Sequence, residues 1–381
     1  MDKVITLTGK IDSNNVSKIE ENISRDLDNY NGNIIIDTKD LDYISSAGLR
    51  LILKIKKQYP NTSIVNCNSD VFNIFEMTGF TQMMDIKKGY KNLSIDGCQI
   101  IAEGAYGIIY RVDSETIVKV YKNPNSLDDI IKEKDNAKKA FILGIPTAIS
   151  YDIVKVGNLY GAVFEMLDAK SYAELLREGN DINKLVKESV DILKQIHNTE
   201  NDNYKLPSKK KEVINWAEFC KDYLPKDISK KLIKMIKEIP DKNTIIHGDF
   251  HIKNLMHLKN ETLLIDMETI STGHPILELA CSYAIYEGFE CLDPKNPEEF
   301  LGIPRKQCRD FFDLTLKYYF ENENDEKIAD IKNMIKVICY TRLLRRQIKH
   351  FGLDNKKYKH SIDFCRNYLI ENVPKVDKLY F

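Results

Sequence analysis

At 381 residues the chain is longer than one hydrophobic core usually serves, so two or more domains are expected. Its 56 Lys and Arg balance 57 Asp and Glu, which leaves no net charge to recruit nucleic acid or a membrane surface. The eight cysteines are scattered without a C-x-x-C pair, the pattern of buried or free thiols in a reducing compartment. No apolar core marks a signal peptide near the amino terminus and no run of about 18 apolar residues marks a membrane span, so a cytoplasmic protein is expected. The basic runs at Lys209 to Lys211 and Arg342 to Lys349 read as solvated helix faces.

Val4 to Thr8 alternates as a half-buried strand, and Asp12-Ser13 offers a helix cap before Val16, Ile19 and Ile23 at helical spacing. Ile34 to Ile36 reads as a central strand. A helix follows Ser45-Ser46, carries Leu49, Leu51, Ile52 and Ile55, and ends near Tyr59-Pro60. Ile64-Val65 is another strand, and Val71, Ile74, Phe75 and Met77 form a third helical stripe before Thr78-Gly79. Strands alternating with helices predict a small α/β sandwich over residues 1–92.

D-L-D-Y-I-S-S-A-G-L-R at residues 40–50 and F-E-M-T-G-F at 75–80 resemble the STAS domain of anti-sigma factor antagonists, across nearly all of residues 1–90. The resemblance implies a protein partner. It also implies phosphorylation at Ser46, the position whose modification breaks partner binding in that family, although Ser45 stands where antagonists usually carry Asp. By its residues alone, either serine is a good helix cap, a role worth about 0.5–2 kcal/mol and the commoner use of such a serine. A phosphate at the same helix start would meet unpaired N–H groups and a favourable dipole.

Residues 87–97 are polar and turn-prone, so a domain boundary is placed there. Gly104 and Gly107 then frame a G-x-x-G turn, with Ala102 where the first glycine of G-x-G-x-x-G would fall. Thr116 to Tyr121 alternates like a strand and includes Lys119. A helix beginning at Ser126 carries Glu133. Gly144 to Tyr151 and Leu159 to Leu167 read as two further strands. Beyond residue 168 helical periodicity dominates: Ile182 to His197, Trp216 to Leu224, Ile228 to Ile239, Pro275 to Tyr286 and much of Arg309 to Leu369. Only residues 244–266 interrupt it with strand and loop.

That interruption holds the chemistry. In I-I-H-G-D-F-H-I-K-N, Asp249 and Asn254 lie five apart in a loop, and the apolar run Leu263 to Ile265 ends on Asp266. Phosphoryl transfer from a nucleotide needs one carboxylate to orient the acceptor hydroxyl and two oxygen ligands for magnesium. Asp249 supplies the first, and Asn254 and Asp266 the others. H-G-D-F-H-x-x-N followed by L-L-I-D resembles the aminoglycoside phosphotransferase and choline kinase branch of the protein-kinase-like fold.

The resemblance implies a bilobal α+β domain, with residues 98–167 as the amino-terminal lobe and 168–381 as a mostly helical carboxy-terminal lobe. It implies ATP and Mg2+ as donor and cofactor, Lys119 on the phosphates with Glu133 as its pairing acid, Gly104 to Gly107 covering them, and the backbone of Glu165 to Leu167 as the hinge against the adenine edge. The expected function is γ-phosphoryl transfer to a hydroxyl of a small molecule, with the STAS domain regulating or docking. Relatives usually show Asp-Leu-Ala where this chain has Glu278-Leu279-Ala280, so the loop-bracing role of that acid is not expected of the longer Glu278. Glu287, Glu290, Asp310 and Asp313 read as solvated faces, with an acidic wall for an aminated acceptor as the other reading.

Other readings keep their place. The chain is alternatively a regulatory protein kinase or nucleotide sensor acting through the STAS domain with Ser46 as acceptor, or a binding module that signals through nucleotide occupancy. His247, His251 and His257 read as loop-bracing rather than zinc ligands, because they lack the helical i, i+4 pairing of a metalloprotease. No G-x-S-x-G elbow supports a serine nucleophile.

Overall fold

The computed structural model describes every residue except Met1, Ala105, Asp202, Asn260 and Asp354. Its first part follows the alternation in the sequence: β1 (Lys3–Ile11), α1 (Val16–Asp26), β2 (Ile34–Ile44), α2 (Ser46–Gln58), β3 (Thr62–Cys67), α3 (Ser69–Met77) and β4 (Ile86–Lys88). The sheet order is β1-β2-β3-β4 and every pairing is parallel, so each connection is a helical crossover. Ile34, Ile36 and Ile64 are fully buried at its centre, with Phe75 of α3 closing over them. The two serines at the start of α2 divide their work. Ser45 is the cap, its hydroxyl accepting the Gly48 N–H at 3.5 Å, while Ser46 is the first helical residue and is exposed.

A second sheet follows: β5 (Lys91–Asn92), β6 (Gln99–Glu103), β7 (Gly107–Arg111), β8 (Thr116–Tyr121), β9 (Asp152–Val156) and β10 (Leu159–Glu165), in the order β5-β9-β10-β8-β7-β6, with α4 (Leu127–Ile142) between β8 and β9. Two features differ from expectation. The polar stretch 87–97 contains β5, which pairs parallel with β9 through exposed residues; a two-residue ladder at a sheet edge needs backbone groups, not apolar side chains. Gly144 to Tyr151 is not a strand of this sheet. Its backbone is spent elsewhere: the Pro146 carbonyl accepts from Leu264 N–H at 2.8 Å and Ala148 N–H donates back to the Leu264 carbonyl at 3.3 Å, so this segment binds the other lobe.

The remaining chain runs through β11 (Lys170–Ser171), α5 (Tyr172–Arg177), α6 (Ile182–Asn198), α7 (Lys209–Cys220), α8 (Lys226–Glu238), β12 (Ile245–Ile246), β13 (Leu255–Leu258), β14 (Glu261–Leu264), β15 (Ser271–Thr272), α9 (Pro275–Tyr286), α10 (Asn296–Leu301), α11 (Arg305–Tyr319), α12 (Asp325–Phe351) and α13 (Lys359–Asn372). Every residue of α9 is buried, which makes it the central helix of this lobe. α7 begins seven residues before Trp216 because Ser208 caps it, accepting the Lys211 N–H at 3.3 Å. The two basic runs are therefore not simply solvated. Lys209 is only 5% exposed, and Leu343, Leu344, Gln347 and Ile348 of the Arg342 run are buried. All eight cysteines are free thiols, six of them buried. Among the described residues no helix is long and apolar enough to cross a membrane.

Two buried imidazoles tie this fold to pH. His197 contacts the Tyr319 hydroxyl at 2.8 Å through Nδ1, and its Nε2 has no partner among the described residues; burial pushes it down to about 3. His274 caps α9 by accepting the Ile276 N–H at 3.2 Å, and burial with the charges of Lys242 and Lys378 pushes it down to about 4. Both are neutral when folded, so below about pH 6.5 the unfolded chain takes up protons that the folded chain refuses. Their contribution is complete above that pH and is lost on acidification towards about 4 and 3. Urea denaturation should show about 2 kcal/mol less stability at pH 5.5 than at pH 6.5 from these two groups. The difference should shrink in the His197→Asn, His274→Asn variant; an unchanged slope would refute the assignment.

Candidate functional site

The loop between β12 and β13 is held from below by α9. The Glu278 carboxylate is fully buried and accepts the backbone N–H groups of His247 (2.5 Å) and Gly248 (3.0 and 3.1 Å). One turn on, the Ser282 hydroxyl donates to the Phe250 carbonyl at 2.9 Å, and one turn further the Tyr286 hydroxyl accepts the Ile252 N–H at 3.1 Å. Positions 278, 282 and 286 share one helix face, so a single buried helix satisfies the underside of the whole loop. This corrects the expectation for Glu278. Its longer side chain does brace the loop, reaching two N–H groups at once. Burial pushes its carboxyl up, while His247, Lys209 and the two N–H donors act against that.

Gly248 has φ +86°, and a Cβ there would lie 2.8 Å from the Thr269 carbonyl oxygen, so this turn admits only glycine. His247 joins the loop to its neighbour: Nε2 contacts the Ile265 carbonyl at 3.1 Å and Nδ1 accepts the Asp249 N–H at 3.2 Å. His251 lies 3.5 Å from the Asp249 carboxylate through Nε2, and its Nδ1 accepts the Lys253 N–H. His257 faces Tyr172 and Glu188 instead. Burial pushes the Asp249 carboxyl up, but the hydrogen bond with His251 and the fields of His251, His247 and Arg342 outweigh it and bring it down to about 2.

Asn254 and Asp266 are made neighbours by strand register. β13 pairs with β14 so that Leu255 faces Leu264, and the Ile265 N–H donates to the Asn254 carbonyl at 3.0 Å; Asp266 is the next residue. The Asn254 amide donates to the Asp249 carbonyl oxygen at 2.9 Å and lies 3.4 Å from the Asp249 carboxylate, and its Oδ1 has no hydrogen-bond partner among the described residues. Asp266 has φ +67°, a left-handed conformation that costs a non-glycine residue about 1–3 kcal/mol and is characteristic of functional turns. Among the described residues no group of three His, Cys, Asp or Glu could hold a metal unaided. One carboxylate and one carboxamide oxygen fit instead a magnesium ion whose other ligands come from phosphates and water.

In the small lobe, Lys119 on β8 meets both carboxylate oxygens of Glu133 on α4, at 3.0 and 3.3 Å. Tyr121 donates to the same carboxylate at 2.5 Å. Burial lowers the Lys119 ammonium, but Glu133, Asp266 and Glu268 more than restore it and it remains charged. Gly104 and Gly107 close their turn through Gly104 N–H to Gly107 C=O at 2.9 Å, and a Cβ on Gly107 would meet the Val120 oxygen at 2.8 Å; Ala105, inside this turn, lies outside the described residues.

Between the lobes is a cavity of about 600 Å3, within the range of small-molecule sites. Lys119, Glu133, Glu165, Leu167 and Asp266 line it, between apolar walls that include Ile109 and Phe164 on one side and Met256 and Ile265 on the other. Asp249, Asn254, Gly104 and Gly107 are not part of its lining, and Ser46 lies on α2 of the first domain. Asp249 and Asn254 are joined to the cavity through the bonds to Ile265, next to Asp266.

Sequence reasoning missed several supporting residues. Asn136, three positions after Glu133 on α4, donates to the carbonyls of Met267 (3.3 Å) and Glu268 (3.4 Å), so α4 grips the turn after Asp266. Glu268 lies close enough to Asp266 and Glu133 that burial and these like charges push its carboxyl up. Tyr121 and Tyr286 read as ordinary apolar positions. The signal for Ser282 and Tyr286 was their four-residue spacing from Glu278 on an otherwise apolar helix.

Comparison with known proteins follows the same division. The STAS domain family matches residues 2–93, and the phosphotransferase enzyme family matches residues 97–294. The putative anti-sigma factor antagonist BtrV of Bordetella bronchiseptica is 33% identical over 81 residues, spanning 20% of this chain and 70% of that protein. Among solved structures, the ADP-bound aminoglycoside phosphotransferase APH(2'')-Ib is 15% identical and aligns over 74% of this chain and 94% of its own, with a TM-score of 0.48. The GDP complex of wild-type aminoglycoside 2'-phosphotransferase-IIIa is 12% identical over 79% of this chain and 98% of its own, also at 0.48.

Removing the Glu278 carboxylate leaves two buried N–H groups unpaired. Glu278→Ala should cost roughly 2–5 kcal/mol in urea denaturation, whereas Glu278→Gln, which retains one acceptor oxygen, should cost clearly less. Equal losses in the two variants would show that packing, not the hydrogen bonds, carries the effect.

Proposed function

The chain belongs to the phosphotransferase enzyme family and carries a STAS domain ahead of that region, and from this premise we propose that it transfers the γ-phosphoryl group of ATP to a hydroxyl of a small molecule, with Mg2+ as cofactor. The observation that supports this most is convergence: the Lys119–Glu133 pair and Asp266 line one cavity, and the loop carrying Asp249 and Asn254 is bonded to the residue beside Asp266. In this reading the nucleotide lies between residues 98–167 and 168–381. The base rests between the apolar walls, against the backbone of Glu165 to Leu167. The Met166 N–H is already bonded to the Glu115 carbonyl at 2.7 Å, whereas the Leu167 N–H has no acceptor among the described residues and is free for a ligand.

Lys119, fixed by Glu133, would neutralise phosphate charge under the cover of the turn at Gly104 and Gly107. Asn254 Oδ1 and the Asp266 carboxylate would hold magnesium, which when bound neutralises charge on the triphosphate. Asp249 is ionised at neutral pH, since its carboxyl is down at about 2, and accepts a hydrogen bond from the acceptor hydroxyl. So weak a base orients the hydroxyl first and takes its proton only as the new bond forms. Asp249→Asn should lower kcat by roughly 10²–10⁴-fold while the rise in Tm on adding ADP is retained. Turnover at the parent rate would remove Asp249 from the mechanism.

One observation favours a second reading. Ser45 alone provides the α2 cap, so the exposed Ser46 hydroxyl at that helix start is free to be an acceptor. This would make the chain a regulatory kinase acting through its STAS domain. Incubation with labelled ATP and peptide mapping separates the two. Label on Ser46 favours regulation; label only on added small alcohols favours the first.

A further inference from the structure

A polycationic acceptor needs unpaired carboxylates near Asp249, and the four acids that the sequence offers for that role, Glu287, Glu290, Asp310 and Asp313, are each held by a cation. Arg305 and Arg309 both hold Glu290 at 2.5 Å. Lys332 bridges Glu287 (2.8 Å) and Asp313 (2.5 Å), and Lys306 pairs with Asp310 at 2.8 Å. Glu212 is held by Lys209 at 2.8 Å. The four acids at 287, 290, 310 and 313 are thus ion-paired rather than an acidic wall; Asp310 and Asp313 lie on a solvated face as expected, whereas Glu287 and Glu290 are largely covered. Paired charges present little net field to a cation.

The charge left over is positive. α12 carries Arg342 and Arg346 one turn apart on one face, and neither guanidinium has a carboxylate within 4.0 Å among the described residues. Nη1 of Arg342 is buried without a hydrogen-bond partner among the described residues. Each guanidinium is backed by an aromatic face: Arg342 lies 5.7 Å from the ring of Trp216 on α7, and Arg346 lies 5.1 Å from that of Phe289. Aromatic backing fixes the plane of the fork and leaves its N–H edge for a ligand. Lys209, paired with Glu212, adds little to this field, although its ammonium stands 3.1 Å from where a Cβ on Gly248 would be, beside the loop of Asp249. Arg342 is near enough to Asp249 to help lower its carboxyl, and Arg346 is near enough to Tyr106, next to Gly107, to feel its field.

We propose that Arg342 and Arg346 recognise the acceptor, and that the acceptor is an anionic alcohol, a hydroxyl compound bearing a carboxylate or phosphate, rather than an amino sugar. The inference rests on the phosphotransferase reading of Asp249. An acceptor anion bound by the two forks has its charge compensated beside the ionised Asp249 and turns its hydroxyl towards that carboxylate. The same forks repel an ammonium group. An unpaired buried guanidinium is costly to fold around, and a ligand anion accounts for its retention.

Trp216 is the only tryptophan of the chain, so its fluorescence reports on Arg342 directly. The full chain, saturated with ADP and Mg2+ to block the nucleotide site, is titrated at constant ionic strength with inorganic phosphate, and separately with kanamycin. Phosphate should give a saturable change that weakens at least tenfold in Arg342→Gln and several-fold in Arg346→Gln. Kanamycin should give none. The inference is overturned by a saturable response to kanamycin, by no saturable response to phosphate in the parent protein, or by a phosphate response that Arg346→Gln leaves unaltered. That second variant sits on the exposed part of the helix and carries the test should Arg342→Gln not fold. Loss of the ADP-dependent rise in Tm in the parent would instead count against the nucleotide reading, and the phosphate titration stays readable without it.

Discussion

The buried carboxylate of Glu278 is the interaction on which the candidate site depends. A loop that turns sharply at Gly248 exposes N–H groups inward, where no water can pair them, and the core must supply an acceptor. Glu278 supplies it from a helix whose every residue is buried. A charge in that position is tolerable only because the two N–H donors and the neighbouring Lys209 and His247 offset the cost of burying it. Ser282 and Tyr286 extend the same device along the helix, so the position of Asp249 is set by α9 rather than by the loop itself.

The two lobes are joined at two places, once through backbone alone and once through the Asn136 side chain. Pro146 and Ala148 bond to Leu264, just before the strained Asp266. Asn136 grips the carbonyls just after it. Within the amino-terminal lobe, Met166 is tied to Glu115. Asp266 is held on both sides, and its left-handed backbone is the strained residue of an otherwise regular turn. Conformational strain of this size persists only where flanking contacts over-determine the residue. Here the contacts come from both lobes.

Much of this was legible in the sequence because it depends on local pattern. The first sheet follows from strand and helix periodicity; Asp249, Asn254 and Asp266 were named from the spacing in their loop and strand, and Lys119 and Glu133 from the family resemblance. What was not legible depends on where backbone groups find partners. Gly144 to Tyr151 has the composition of a strand, but its carbonyl and N–H groups pair with Leu264, which lies more than a hundred residues away. β5 escaped notice because an edge pairing of two exposed residues leaves no hydrophobic trace. Glu278 was judged by chain length against Asp, whereas its role is decided by the depth at which α9 lies under the loop. Lys209 and Arg342 were assigned to solvent from charge runs alone, a rule that fails when a run straddles a helix with one buried face.

The electrostatics divide the site into two regions of opposite character. On the side of the cavity, Lys119 faces Glu133, Asp266 and Glu268, three carboxylates against one ammonium, an excess of negative charge. On the other side of Asp249, Glu287, Glu290, Asp310 and Asp313 are each paired with Lys or Arg, whereas among the described residues the guanidiniums of Arg342 and Arg346 have no carboxylate within 4.0 Å. Asp249 sits where these fields meet. Its ionisation at about 2 follows from the positive side, through His251, His247 and Arg342. A carboxylate so strongly stabilised gives up basicity and gains a fixed orientation, and a transfer reaction with a loose transition state requires orientation more than an early proton acceptor.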